Sequence, residues 1–421
     1  MKVKRKWLVF SFALAAVSLA GALLPHSEAG GTDAALSAGD IAWIISATGL
    51  VLLMTPGVSF FYGGMVRTKN VISTMLQSFV AMGVISIVWV VVGFSLAFGK
   101  DIGGLIGNPL TYFMFRNVGG NPEPAFAATI PLALFALFQL KFAIITPALI
   151  TGSFAERVKF SAYLLFMVLW SVIIYAPLAH WTWHPDGFLR RLGVLDFAGG
   201  TVVHMAAGVA ALAGALFLGQ RAEHKVAYRP ANIPFVMLGT ALLWFGWFGF
   251  NAGSALAANS VAVEAFLNTN TASAAAMLAW MFFDTLRGRK ASAMGACIGA
   301  VVGLVAITPA AGYVSVGASL FIGTTAAVVS NIAVHWKNKT SVDDALDVFP
   351  THGVGGIMGM ILTGIFARDV GLVFGKPETF LYHLLAIVIV GVYVFSGSFL
   401  IYKVTNLFIP VRVSKQSETI G

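Results

Sequence analysis

Charge is what this chain has least of. Only 10% of its 421 residues are Asp, Glu, Lys or Arg, whereas a soluble domain carries about a quarter. That scarcity excludes a water-solvated exterior over most of the molecule. Cysteine is almost missing as well. Cys297 stands alone in an apolar run, so an internal disulfide framework and a Cys-x-x-Cys metal or redox motif are both excluded. No Walker-type loop or dinucleotide fingerprint occurs, which argues against ATP coupling or nicotinamide chemistry within this chain.

Apolar residues fill the space that charge leaves. They make up 58% of the chain, and glycine contributes 45 positions. Mean hydropathy is +0.87. Runs long enough for a bilayer, roughly 17–25 residues each, recur with no soluble domain between them. They predict spans at 41–66, 71–98, 126–151, 160–182, 197–219, 231–256, 262–283, 291–309, 312–335, 348–367 and 379–404. The long uncharged stretch between Ala291 and Val334 is divided at Thr308-Pro309-Ala310-Ala311-Gly312, where Pro and Gly mark a turn. The expected fold class is therefore an all-α membrane protein with eleven transmembrane helices.

The start of the chain has a different character. Lys2, Lys4, Arg5 and Lys6 precede an apolar run from Trp7 to Leu24, and Ser27-Glu28-Ala29 follows. This pattern reads as a secretory signal peptide over residues 1–29, with an uncleaved twelfth helix as the alternative. Residues 30–410 then form the membrane domain and 411–421 a short tail. Basic residues gather in alternate loops. Arg67, Lys69, Arg157, Lys159, Arg221, Arg229, Arg287, Arg289 and Lys290 fall on one side, and the opposite loops hold few. The positive-inside rule places the membrane domain's N-terminus outside and the C-terminus in the cytoplasm. The net charge of +9 is thus a topology signal rather than a nucleic-acid footprint.

Two ionisable side chains sit inside apolar spans: His204 in DFAGGTVVHMAAG and His352 in DVFPTHGVGG. At membrane depth such residues mark ion or proton paths. Spans one to five and six to ten form two five-helix halves, whose odd number requires inverted topology. His204 falls in the fifth span and His352 in the tenth, so they occupy matching places in two inverted repeats, with one helix left over at the end. Inverted repeats commonly place a transport site at their interface.

The longest motifs carry a specific likeness. DFAGGTVVHMAAGVAALAGALFLG (196–219) resembles the signature of the ammonium transporter family, the Amt/Mep/Rh proteins. LLMTPGVSFFYGGMVR, FAIITPALITGSFAERVKF, WFGFNAGS, TPAAGY and DVFPTHGVGG are similar to its Amt branch, bacterial or archaeal type, in the same order from about Gly39 to Val413. The resemblance implies a homotrimer in an inner membrane, with one narrow hydrophobic pore per subunit, no enzymatic activity and no cofactor. It also implies roles for particular residues. Trp183, Phe142 and Ser254 would recruit ammonium at an outer aromatic vestibule. Phe142 and Phe250 would close the pore below it, and His204 and His352 would line that pore and relay a proton. Asp196, Thr308 and Trp247 would support the site. Phe138 and Gln139 are further vestibule candidates.

The chemistry of these residue types fits that assignment. Aromatic faces replace part of a cation's hydration through attraction of roughly 0.5–2 kcal/mol. A neutral imidazole donates from one nitrogen and accepts at the other. Asp196, at the start of a helix, can cap its orphan N–H groups. Against each assignment stands ordinary packing, which is the usual role of any one of 34 phenylalanines.

Other features are set aside. His180 and His184 have metal-ligand spacing, but no acidic or thiol partner is nearby in sequence and Pro185 follows. Asp343, Asp344 and Asp347 lie near Lys337 and Lys339, which favours charge pairing over a metal, with Asp347 ordering the start of the tenth span. Two departures from the family pattern stand out. Lys141 precedes the gate residue Phe142; about 100° round the helix from it, it faces a neighbouring helix, a subunit contact or the vestibule, and facing the vestibule it would repel ammonium. The tail, SKQSETIG, lacks the longer acidic, His-containing end through which many members are regulated, which counts against docking of a PII-type regulator. Alternative functions are a Rh-like electroneutral NH₃ channel, an ammonium sensor and, from another class, a haem-binding membrane cytochrome with the histidines as axial ligands.

Overall fold

A computed structural model describes residues 5–24, 36–222 and 229–421. The Ser27-Glu28-Ala29 site lies outside them. Helix α1 (Arg5–Leu23) precedes the membrane domain proper, with Trp7 against Phe160 at 6.3 Å between ring centroids. Nine helices among the described residues are long and apolar enough to cross a membrane. They are α2 (Ala38–Met65), α3 (Thr68–Phe98), α4 (Leu132–Phe154), α5 (Phe160–Leu192, broken at 184–187), α6 (Gly200–Leu218), α7 (Ile233–Gly253), α10 (Val316–Lys337), α11 (Phe349–Phe366) and α12 (Pro377–Phe408).

The other two predicted spans are helical too, and they differ in kind. Helix α8 (Ser260–Leu286) is 27 residues long but more polar. Its polar side chains are engaged inside the protein: Asn268 donates to Ala311 O and Val314 O, and Thr269 accepts from Asn251 at 2.9 Å. Helix α9 (Ala293–Ile307) is apolar but has only 15 residues, about 22 Å at 1.5 Å per residue. Most of it is buried among neighbours, and its Gly299 and Gly303 lie against Ala276 O and Ala272 O of α8. Small residues at such crossings let backbones approach closely.

Helix starts follow the local sequence. Asn232, Asn259, Ser292 and Ser315 each accept a hydrogen bond from the backbone N–H three residues on, capping α7, α8, α9 and α10. One side carries the long connection between α3 and α4, with a two-residue hairpin pairing Asp101–Ile102 to Ile106–Gly107. A last short helix, α13 (Lys415–Ile420), packs on the opposite face. Its Glu418 accepts from Ala222 N at 2.6 Å and pairs with Arg412 at 2.9 Å.

His204 and His352 both lie on π-helical turns, Gly200–Met205 and Phe349–Val354. Such insertions re-aim side chains and cluster at functional sites. The two turns pack on each other by reciprocal glycines. A Cβ on Gly208, four residues after His204, would sit 2.1 Å from Gly353 N. A Cβ on Gly356, four residues after His352, would sit 2.9 Å from both Gly200 O and Met205 N. This mutual close approach brings α6 and α11 together back to back.

Candidate functional site

A cavity of 430 Å³ opens on the side of the α3–α4 connection. Phe142, Trp183, Ser254, Asp196 and Gln139 line it, so five residues singled out in sequence converge from α4, α5, the α5–α6 link and the end of α7. Trp183 meets Phe142 edge-on at 5.8 Å, and its indole N–H donates to Asp196 O at 3.2 Å. Ser254 Oγ donates to Phe250 O at 2.8 Å, leaving its oxygen lone pairs available to a donor in the cavity. Phe138 is not among the lining residues. It buttresses Phe142 from behind, with centroids 5.0 Å apart.

The cavity floor is aromatic. The rings of Phe142 and Phe250 overlap at 4.3 Å between centroids with a 36° tilt, and both are fully buried. Beyond them, Phe250 stacks on His204 at 5.8 Å, and His204 on His352 at 5.5 Å. The two imidazoles, 148 residues apart in sequence, meet Nδ1 to Nδ1 at 3.3 Å. One nitrogen must donate and the other accept, so the pair holds complementary tautomers. His204 Nε2 is buried with no protein partner among the described residues, so it is free for a guest.

The supporting residues act at one remove. Trp247 lies against the His204 ring at 5.2 Å, and its N–H donates to Thr308 Oγ1 at 2.9 Å. Thr308 in turn donates to Leu304 O and is fully buried, so it holds Trp247 and does not line the cavity. Asp196 is more heavily engaged than a simple cap. Oδ1 accepts from Gly199 N and Gly200 N at 2.8 and 2.6 Å, and Oδ2 accepts from Thr201 N and Thr201 Oγ1 at 2.7 and 2.5 Å. These bonds anchor the turn that carries His204.

Lys141 does not line the cavity. It is buried at 8% exposure, one turn of α4 from Leu137, which is 42% exposed. The cation that does line the cavity is Arg190, whose guanidinium donates to Trp183 O at 3.0 Å. Sequence reasoning missed it because Arg190 looked like one more basic residue in an outer loop. Its charge opposes a cationic guest, so Arg190→Gln is expected to tighten apparent ammonium affinity about two- to fivefold at low salt, with the gain shrinking at high salt. Concentration series of transport at two ionic strengths check this.

The residues set aside in sequence have structural partners. His180 is buried, with Nδ1 at 2.9 Å from Ala97 O and Nε2 at 2.9 Å from Asp101 Oδ1, and His184 Nδ1 accepts from Asp186 N. Asp343 pairs with Arg221 at 2.9 Å and Arg157 at 3.5 Å, and Lys337 pairs with Asp347 at 2.5 Å. The role predicted for Asp347 falls instead to Asp344, whose Oδ2 accepts from Phe349 N at 2.7 Å at the start of α11.

Comparison with known proteins agrees with this architecture. Residues 42–421 match the model of the Ammonium Transporter Family. The chain is 46% identical over 395 residues to an ammonium transporter of Aquifex aeolicus, covering 92% of each protein. It is 45% identical over 395 residues to an ammonium transporter of Bacillus subtilis, covering 91% of this chain and 96% of the relative. Among solved structures, Candida albicans Mep2 superposes with a TM-score of 0.87 at 36% identity, covering 93% of this chain and 90% of that one. A helical membrane protein with these relatives over nearly its whole length belongs to the ammonium transporter family.

Proposed function

We propose that this protein moves ammonium across a bacterial or archaeal inner membrane as NH₃ with a separately relayed proton. The observation that carries the reading is the continuous stack from Trp183 through Phe142, Phe250 and His204 to His352. NH₄⁺ is held in the vestibule by the faces of Trp183 and Phe142 and the oxygen of Ser254. Hydrated K⁺ and Na⁺ cannot shed their charge, and a charge in a dry apolar pore costs about 2.5–3.5 kcal/mol or more. Ammonium escapes that cost by losing its proton, after which NH₃ passes the Phe142–Phe250 closure. The Nδ1–Nδ1 contact of the histidines offers the proton a hydrogen-bonded route beside it.

Eleven crossings, α2 to α12, put the α3–α4 connection outside and Arg157, Arg221 and α13 in the cytoplasm, as the basic-loop asymmetry requires. Residues 1–29 act as a signal, 30–410 as the transport domain and 411–421 as a short tail. Exposed apolar side chains such as Leu381, Val388, Val392 and Leu400 on α12 face lipid or a neighbouring subunit of a homotrimer.

The test is an ammonium jump across proteoliposomes adsorbed on a sensor membrane. A saturable current that K⁺ does not elicit and empty vesicles lack is expected, with methylammonium giving a smaller one. Accelerated internal pH change without current would replace this reading with electroneutral NH₃ conduction.

A further inference from the structure

Eight positions separate Asp196 from His204, and eight separate Asp344 from His352. Each aspartate stands before the π-helical turn bearing its histidine and accepts that turn's backbone N–H groups. By place they are equivalents in the two halves of the fold. Their oxygens are treated differently. All the accepting positions used on Asp196 are filled by four donors within 2.8 Å. Asp344 is fully buried, its Oδ2 takes Phe349 N, the Val348 amide also favours the carboxylate, and its Oδ1 completes no hydrogen bond among the described residues. A buried carboxylate oxygen without a partner is unfavourable, and binding a proton relieves it.

We propose that Asp344 is the proton-exchanging group of the inner mouth, capping the His352 turn through Oδ2 while taking up and releasing a proton at Oδ1. This rests on the reading that a proton accompanies NH₃. At the inner mouth the Oδ1–H bond breaks as an N–H bond forms on the emerging NH₃, giving NH₄⁺ and the carboxylate. The proton relayed from the outer side then restores the acid, so one NH₃ and one proton leave as NH₄⁺. The surroundings suit such cycling. Lys337 Nζ donates to Asp344 O at 2.8 Å and lies 2.5 Å from Asp347 Oδ1, while Asp343 is held by Arg157 and Arg221. Tyr62 of α2 is also close, its hydroxyl donating to Leu149 O. Burial pushes the Asp344 carboxyl up to about 6, with Asp347 adding to the rise and Lys337 opposing it. Burial also opposes ionisation of Asp343, but Arg221 and Arg157 outweigh it and hold that carboxyl at about 2. Of the two adjacent acids, Asp344 is the one held above the usual carboxylate range and Asp343 the one held below it.

Infrared difference titration of the purified full-length protein, from about pH 8 down to about pH 5, reads this proton directly. A carbonyl band of a buried protonated carboxyl should grow in with a midpoint near 6. It should vanish in Asp344→Asn, whose amide oxygen can still accept from Phe349, and survive in Asp344→Glu. In proteoliposomes the ammonium current should depend on inner pH with the same midpoint. Asp344→Asn should cut that current at least about tenfold and flatten the dependence. Lys337→Met, which removes the opposing cation and leaves Asp347 without its ion pair, should move the infrared midpoint up even where Asp344→Asn fails to accumulate. A band unchanged in Asp344→Asn, a midpoint unmoved by Lys337→Met, or an Asn variant with wild-type inner-pH dependence would overturn the proposal. Wild-type protein that shows the band but carries no ammonium current would overturn the coupled-proton reading, and this role with it.

Discussion

Asp196→Ala should leave little folded transporter in the membrane and no measurable transport from what remains. The substitution strips an acceptor from three backbone N–H groups and one hydroxyl, all buried. Each buried donor left unsatisfied costs about 1–3 kcal/mol, against a total stability on the order of 5–15 kcal/mol. The damage is also local to the site. Gly199, Gly200 and Thr201 start the turn that aims His204, and Asp196 O holds the Trp183 indole. Asp196→Asn keeps one acceptor and places an amide against backbone donors, so its loss should be intermediate. Detergent-extracted yield and thermal melting of the two variants check the order. An alanine variant with wild-type melting and current would show that the turn holds its shape without the carboxylate.

The second large effect is expected from replacing both imidazoles. His204→Leu combined with His352→Leu should abolish the ammonium current while NH₃ still crosses. Leucine keeps the pore apolar and close to its original volume, so the neutral gas loses little. The proton loses the only hydrogen-bonded pair bridging α6 and α11 at that depth among the described residues. Crossing apolar surroundings as a bare charge costs at least about 2.5–3.5 kcal/mol, which corresponds to a drop of about 100-fold in current. Current and internal pH change measured on the same vesicles separate the two species. An undiminished current in the double variant would sink the relay. Restoring one histidine at a time would show whether a single imidazole suffices.

Membrane insertion and the matching motif positions of His204 and His352 were legible from the chain because they depend on composition and spacing. Hydropathy is summed over about 20 residues, and that sum survives any detail of packing. The motif residues around Phe142, Trp183, Asp196 and Phe250 were legible through likeness to a family, since nothing in an isolated Phe distinguishes a gate from a core residue. Helix α8 was read as a span despite its polar residues, and the structure supplies the reason they are tolerated: Asn268, Thr269 and Ser273 bond to neighbouring elements.

Other features stayed out of reach. The direction of Lys141 and the cavity-lining place of Arg190 had no sequence signal, because one step along a helix turns a side chain by about 100° and a loop residue's direction has no periodicity to betray it. The capping role passed from Asp347 to Asp344 for a similar reason, since only coordinates show which carboxylate meets Phe349 N. The π-helical turns at Gly200–Met205 and Phe349–Val354 have no signature in composition.

By itself, then, the amino-acid order determined that this chain belongs in a bilayer and that two costly imidazoles stand in matching motifs of its apolar segments. Those properties follow from the transfer of side chains out of water, which each segment settles alone. The tertiary structure decided that the two imidazoles touch, that Phe142 and Phe250 stack beside them, and that Asp196 is saturated where Asp344 Oδ1 completes no hydrogen bond among the described residues. Such outcomes depend on how closely two helices approach, and here Gly208 against Gly353 and Gly356 against Gly200 set that distance.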